Sequence, residues 1–119
     1  MRGHTQAVHS VAASPDGLFA ASAGGDSVLR LWDLKGAREI RSFAGHRGVI
    51  HSVAFAPDGR RLLSGGADNT VRLWEVATGR EVARAEGHTA PVKSVGFAPD
   101  GRSAVSGGLD RSVRLWQLP

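Results

Sequence analysis

The chain has 119 residues, with 15 lysines and arginines, 11 aspartates and glutamates, and no cysteine. Without cysteine it can form neither a disulfide framework nor a thiolate metal site. No apolar run approaches the roughly 20 residues that a transmembrane helix needs, and the first residues lack the apolar segment of a signal peptide. The sequence therefore predicts a soluble, cytoplasmic protein without a membrane segment.

The formal net charge of +4 raises the alternative of a nucleic-acid binder. Much of the basic excess, however, is one residue at one repeated position, because Arg30, Arg72 and Arg114 each lie two residues before a tryptophan. No run of lysine or arginine interleaved with aromatic residues occurs. Weak nucleic-acid binding through a basic face is therefore only an alternative.

The predicted elements are short strands that alternate with turns rich in glycine, proline and aspartate. In chain order the predicted strands are residues 8–13, 18–23, 27–34, 39–44, 49–56, 61–65, 70–76, 81–85, 92–98, 103–107 and 112–118. The sequence thus predicts an all-β protein of about 11 antiparallel strands.

Landmarks in the sequence return every 42 residues in three registers without an insertion. Gly-His occurs at 3–4, 45–46 and 87–88, and Pro-Asp-Gly at 15–17, 57–59 and 99–101. A period of about 40 to 45 residues, with Gly-His early and Trp-Asp late, is typical of four-stranded propeller blades. The predicted blades are residues 3–44, 45–86 and 87–119, the last of which lacks its outer strand.

These motifs resemble those of the WD40-repeat β-propeller family, and the resemblance covers nearly the whole chain. Two departures are small. Only Asp33 completes the Trp-Asp pair, and Ala13 stands where the second and third repeats have phenylalanine. The second departure predicts a looser first blade.

Each repeat holds histidine, serine, aspartate and tryptophan at the same spacing, and the resemblance implies that they form a hydrogen-bond chain inside one blade. Serine, histidine and aspartate also compose hydrolase triads, but a set present once per blade indicates a structural role and no catalytic site. The chain is therefore predicted not to be an enzyme. The predicted tetrads are His4, Ser22, Asp26, Trp32; His46, Ser64, Asp68, Trp74; and His88, Ser106, Asp110, Trp116.

A second set of positions varies between repeats while the framework does not. His9 and His51 share one position, which Lys93 holds in the third repeat. The resemblance implies that this position lies by the channel mouth, on the face where partners dock. The alternative is that these are solvated loop positions without a partner. The predicted partner-binding residues are His9, His51, Lys93, Arg47, Gln6 and Thr89.

Neither a cofactor nor a metal is predicted. The glycine pairs are not followed by Gly-Lys-Ser/Thr or by a helix, so they indicate turns and not phosphate-binding loops. The two histidines one blade apart have no second ligand nearby in the sequence.

The resemblance implies a non-catalytic module for protein-protein interaction and scaffolding, with a protein partner whose identity the sequence does not give. A closed propeller has roughly four to eight blades, so three blades cannot close a ring. One expectation is a homo-oligomer that assembles head to tail into six or nine blades. The alternative is a fragment of, or an engineered repeat unit from, a larger propeller with no ligand of its own.

Overall fold

The structure is a computed structural model that describes residues 6–119, and the described part of the chain contains eleven strands and no helix. The predicted all-β fold is confirmed. The strands are β1 (Val8–Ala13), β2 (Phe19–Gly24), β3 (Leu29–Asp33), β4 (Arg38–Phe43), β5 (Ile50–Phe55), β6 (Arg61–Gly66), β7 (Thr70–Glu75), β8 (Glu81–Glu86), β9 (Val92–Phe97), β10 (Ser103–Gly108) and β11 (Val113–Gln117).

The strands form three antiparallel sheets in which consecutive strands pair. The first contains β1 to β4, the second β5 to β8 and the third β9 to β11, and none of these sheets is closed. We call them the first, second and third blades. The third blade has three strands and ends at β11, as the repeat pattern predicts. Within residues 6–119, no helix has the length and apolar character that crossing a membrane requires.

The third strand of each blade begins after a turn whose last residue has a left-handed backbone. Ser27, Asn69 and Arg111 are equivalent in the three repeats and have φ angles of 67°, 68° and 66°. This conformation interrupts the extended chain. It explains why Ser27, where the sequence predicts the strand to begin, lies outside β3, which begins at Leu29.

Neighbouring blades are joined by an apolar core. Between the first and second blades, Leu29 and Leu31 of β3 belong to the same buried cluster as Ile50, Val53 and Trp74. The contact between the second and third blades repeats this arrangement one period later, through Val71, Leu73, Val92, Val95 and Trp116. Because each blade buries its faces against its neighbours, stability depends on these junctions.

A hydrogen bond crosses each junction at the same place. The backbone N–H of Val53 donates to the hydroxyl of Ser10 at 3.2 Å, and that of Val95 donates to the hydroxyl of Ser52 at 3.2 Å. The two bonds are 42 residues apart, like the repeat itself. They fix the position of one innermost strand against the next.

The two junctions differ beside the tryptophan. Phe43 packs edge to face on Trp74, with ring centroids 5.8 Å apart. The equivalent of Phe43 in the second blade is Ala85, which lines a cavity of about 90 Å³ together with Trp116. The second junction therefore contains unfilled space.

We expect Ala85→Phe to raise the free energy of unfolding by about 0.5–2 kcal/mol, because cavity filling typically contributes that amount. Urea unfolding followed by tryptophan fluorescence would measure the change. The matched control is Phe43→Ala, which opens the same space in the first junction and is expected to cost about 3–5 kcal/mol. A lower stability for Ala85→Phe would show that the second junction cannot admit the ring.

Candidate functional site

A chain of hydrogen bonds joins the four repeated side chains of the second blade. Nδ1 of His46 lies 3.0 Å from a carboxylate oxygen of Asp68, and its Nε2 lies 2.6 Å from the hydroxyl of Ser64. The indole N–H of Trp74 donates to the Ser64 oxygen at 2.8 Å. Because the carboxylate only accepts, the proton of His46 is assigned to Nδ1, and Nε2 accepts from Ser64. Each buried polar group therefore has a partner.

The protonation states of this chain follow from its surroundings. Burial lowers the pKa of His46 by more than the Asp68 carboxylate raises it, so the imidazole is neutral at pH 7. Burial acts to raise the pKa of Asp68, but the Arg47 backbone N–H, the Thr70 hydroxyl and His46 together lower it to about 2. The pair is thus a neutral imidazole that donates to an ionised carboxylate.

The third blade repeats this geometry. His88 lies 2.9 Å from Asp110 and 2.7 Å from Ser106, and the indole of Trp116 donates to Ser106 at 2.7 Å. The Ser112 hydroxyl, which donates to Asp110 at 2.7 Å, holds the pKa of that carboxyl well below its usual range. The same tetrad geometry is therefore present in two consecutive blades.

In the first blade, the predicted His4 lies outside the described residues. The indole of Trp32 donates to Ser22 at 2.7 Å, and the backbone N–H of Val28 donates to Asp26 at 3.3 Å. The serine, aspartate and tryptophan of this repeat thus occupy positions equivalent to those of the other two.

A buried arginine extends the network, and the sequence interpretation missed its role. Arg72 donates to Asp68 at 3.3 Å and to Glu81 on the outer strand at 2.8 Å. One period earlier, Arg30 pairs with Glu39. The available signal was the constant separation of nine residues between each arginine and its glutamate. These arginines are ion-paired and do not form a free basic face.

The tetrad geometry does not offer a nucleophile. Ser64 is completely buried, and its oxygen already bridges His46 and Trp74. A hydrolase needs a serine that a substrate carbonyl can reach, with oxyanion donors beside it. The arrangement instead provides each buried donor with an acceptor, which rigidifies a blade.

We expect the chain to lose stability in two steps as the pH falls. Unfolded histidine takes up a proton near pH 6.5, whereas folded His46 resists it, so stability decreases from about pH 6.5 downwards. The stability contributed by Asp68 is present above about pH 3.8 and is lost as the pH falls towards its folded pKa of about 2. Urea unfolding at pH 7.5, 5.5 and 3 would measure both steps.

Because the pKa of His51 is also lowered, the loss of stability near pH 6.5 must be assigned to one of the two histidines. NMR titration of the His46 imidazole makes this assignment. In the control variant His51→Gln, most of the loss of stability below pH 6.5 should remain. Equal stability at pH 7.5 and 5.5 would contradict a neutral, buried His46.

The structure brings three of the predicted partner-binding residues into one row. His9, His51 and Lys93 are the second residues of β1, β5 and β9. The rings of His9 and His51 have centroids 5.9 Å apart, and Nζ of Lys93 lies 3.4 Å from Nδ1 of His51. We call these three residues the bulge row, because each occupies a β-bulge.

The bulges are visible in the strand registers. Val8 pairs with Gly24 and Ser10 with Ala23, which leaves His9 as an extra residue. The registers of β5 with β6 and of β9 with β10 shift at the equivalent places, His51 and Lys93. A bulge bends the strand and redirects a side chain, and no residue pattern in the sequence predicts it.

The other predicted partner-binding residues lie in the loops before these strands. Gln6, Arg47 and Thr89 are exposed. The backbone N–H groups of Arg47 and Thr89 donate to the tetrad aspartates of their repeats. The tetrads thereby fix the loops that lead to the bulge row. Among residues 6–119, no group of three or more histidine, aspartate or glutamate side chains could hold a metal ion.

Comparison with known families agrees with the repeat geometry. The family model described as "WD domain, G-beta repeat" matches three consecutive segments, residues 1–33, 37–75 and 79–117. Together the matches span most of the chain.

Proposed function

Because the chain belongs to the WD40 family of G-beta repeats, whose members generally mediate protein-protein interaction, we propose that it is a non-catalytic scaffold module. We further propose that it assembles head to tail with copies of itself into a closed propeller. Two copies give six blades and three give nine. The observation that carries this proposal is the exposure of the two end faces of the described structure.

The open face of the third blade carries apolar side chains that are buried in the other blades. Leu73 of β7 is 2% exposed in the contact with the third blade, whereas its equivalent on β11, Leu115, is 68% exposed. Its neighbour Val113 is 82% exposed, although the equivalent valine of β7 is buried. The third blade thus exposes the same apolar face that the second blade packs against its neighbour.

The open face of the first blade is the complementary one. Val53 of β5 is 6% exposed in the contact with the first blade, and its equivalent on β1, Val11, is 70% exposed. The two open faces would therefore repeat the existing junction if they met. Burial of a valine or leucine side chain contributes about 1.5–3 kcal/mol, so a contact with several of them is favourable.

The polar contact of the junction can also be repeated. Ser10 and Ser52 accept from the backbone of the next blade, and Ser94 is their equivalent in the third blade. The backbone N–H of Val11 is the equivalent donor on the first blade. A head-to-tail contact would pair Ser94 of one copy with Val11 of the next, and such heterologous contacts form a ring where the rotation between copies closes.

The mass in solution tests self-assembly. Light scattering after gel filtration is expected to give two or three times the monomer mass, and Val113→Lys is expected to give a monomer, because it places a charge in the contact. The matched control is Val82→Lys on the outer strand β8, which should leave the assembly intact. A monomeric wild-type chain would overturn self-assembly and assign the open faces to further blades of a longer propeller.

We place the docking surface for a different protein partner at the bulge row and its loops, Gln6, Arg47 and Thr89. These positions vary between repeats, whereas the tetrads do not, and variation on a constant frame is where specificity can arise. Nucleic-acid binding is disfavoured because Arg30 and Arg72 are paired with glutamates.

A further inference from the structure

We propose that His9, His51 and Lys93 bind the carboxylate groups of an acidic segment in a protein partner. The proposal rests on the docking role proposed above and specifies its chemistry. Three observations carry it: the bulges that position the side chains, the contacts between them, and the absence of an acidic neighbour among the described residues.

The β-bulge recurs in each blade, opposite a glycine of the paired strand. Gly66 pairs with Ile50 beside the bulge, and a Cβ atom on Gly66 would lie 2.6 Å from the carbonyl oxygen of Val49. The close approach of the two strands therefore requires glycine at this position. The same approach occurs at Gly24, where a Cβ atom would lie 2.1 Å from the carbonyl oxygen of Ala7. Such bulges redirect side chains at binding sites.

The bulges of three neighbouring blades bring the side chains into contact. Lys93 donates to Nδ1 of His51 at 3.4 Å, and the edge of one histidine ring meets the other. His9 and Lys93 are exposed, and His51 between them is partly buried. The result is a short row with two accessible ends and a less accessible centre.

The row is not neutralised by the elements packed against it. His9 is the one titratable residue of β1, and Lys93 the one of β9, while β2 has none. β6 contributes only Arg61, at the end of that strand remote from Gly66. Ion pairs of the described residues join other cations to carboxylates, and none involves the bulge row.

A carboxylate of the partner would supply the negative charge that the bulge row lacks. Burial, Lys93 and His9 all lower the pKa of His51, so the free row has a neutral histidine at its centre. A bound carboxylate favours the charged form of His51, so binding takes up protons. Affinity should therefore increase as the pH falls from 7.5 to 5.5, where glutamate is still ionised.

Carboxylates fit the row better than the phosphates of a nucleic acid do. The row is compact and contains one lysine and two histidines, whereas nucleic-acid sites combine a longer basic groove with aromatic side chains on which bases stack. Among the described residues, the ring contacts of His9 and His51 are with each other. A protein segment with glutamate or aspartate is therefore the occupant that we infer.

The test measures binding of a dye-labelled, end-capped peptide, (Gly-Glu)₄, to the full chain by fluorescence anisotropy at low salt. The expected result is binding about tenfold tighter at pH 5.5 than at pH 7.5, as an average uptake of about half a proton over these two pH units predicts. The matched peptide (Gly-Gln)₄ should not bind at either pH. A single-stranded DNA of similar length serves as the probe for a nucleic-acid site.

Three variants locate the site. His51→Gln should remove most of the pH dependence, His9→Gln should weaken binding, and Lys93→Gln should weaken binding at both pH values. The matched control is Lys35→Gln, which removes the same charge from an exposed turn and should bind like the wild type. Equal binding of both peptides, unchanged pH dependence in His51→Gln, or tighter DNA binding that requires Lys93 would overturn the proposal.

This result is independent of the assembly test. A chain that forms rings but ignores the acidic peptide would overturn the carboxylate site and leave the scaffold proposal standing. A monomer that binds the peptide through Lys93 would support the site and overturn self-assembly.

Discussion

Replacing Asp68 with alanine is expected to lower the free energy of unfolding by about 3 kcal/mol, because buried donors lose their acceptor. Asp68 accepts from His46, from the backbone of Arg47, from Thr70 and from the buried guanidinium of Arg72. The side chains of His46 and Arg72 are almost inaccessible to water, which therefore cannot replace the carboxylate.

The matched control for Asp68→Ala is Asp58→Ala. Asp58 lies in an exposed turn, where it accepts one bond, from the backbone N–H of Arg60. Its loss should cost at most about 1 kcal/mol, the usual contribution of one exposed hydrogen bond. Urea unfolding of both variants provides the comparison. Equal losses of stability would contradict the structural role of the tetrad.

Asp68→Asn removes the negative charge of this side chain while keeping nearly the same shape. The amide oxygen can still accept from Arg47, but the negative charge that attracts Arg72 is absent. The lower step of the acid titration should become smaller in this variant, because the Asp68 carboxyl is gone and the lowered pKa of Asp110 still contributes. The step near pH 6 should remain, since it belongs to the histidines.

The strand order of the fold could be predicted from the sequence because every blade has the same turns. Pro-Asp-Gly and the turns that contain Asp26, Asp68 and Asp110 mark strand ends by local backbone chemistry, which a sequence displays directly. The three strands of the third blade could be predicted for the same reason, because their turns repeat those of the other blades.

Features that depend on contacts between distant residues could not be predicted in the same way. The β-bulges at His9, His51 and Lys93 arise where an innermost strand approaches a glycine of the next strand, and no turn residue marks them. The pairing of Arg72 with Glu81 likewise depends on the register of β7 with β8. The sequence interpretation counted Arg30, Arg72 and Arg114 as a repeated basic excess, although Arg30 and Arg72 are paired with glutamates inside their blades.

The exposure of the end faces is also a property of the assembled blades and not of any local pattern. Leu73 and Leu115 occupy the same place in almost identical strands, Val-Arg-Leu-Trp, and a sequence cannot distinguish them. The first is buried by a neighbouring blade and the second is not. The difference in unfolding free energy lost when each leucine is replaced by alanine therefore shows whether anything covers the open face.

Leu73→Ala is expected to lower the free energy of unfolding by about 3 kcal/mol at every protein concentration, because it removes a fully buried side chain and leaves a cavity. Leu115→Ala, its matched control, changes a side chain that is 68% exposed in the single chain. In dilute solution, where copies are separate, it should change stability by less than about 0.5 kcal/mol.

The two leucines should become equivalent when the chain self-assembles. At protein concentrations that support a ring, a second copy would bury Leu115 as the third blade buries Leu73, and Leu115→Ala should then also cost about 2–3 kcal/mol. Melting temperatures measured over a hundredfold range of concentration would show the two costs converge. If Leu115→Ala costs nothing at the highest concentration, no second copy covers this face, and head-to-tail assembly is wrong.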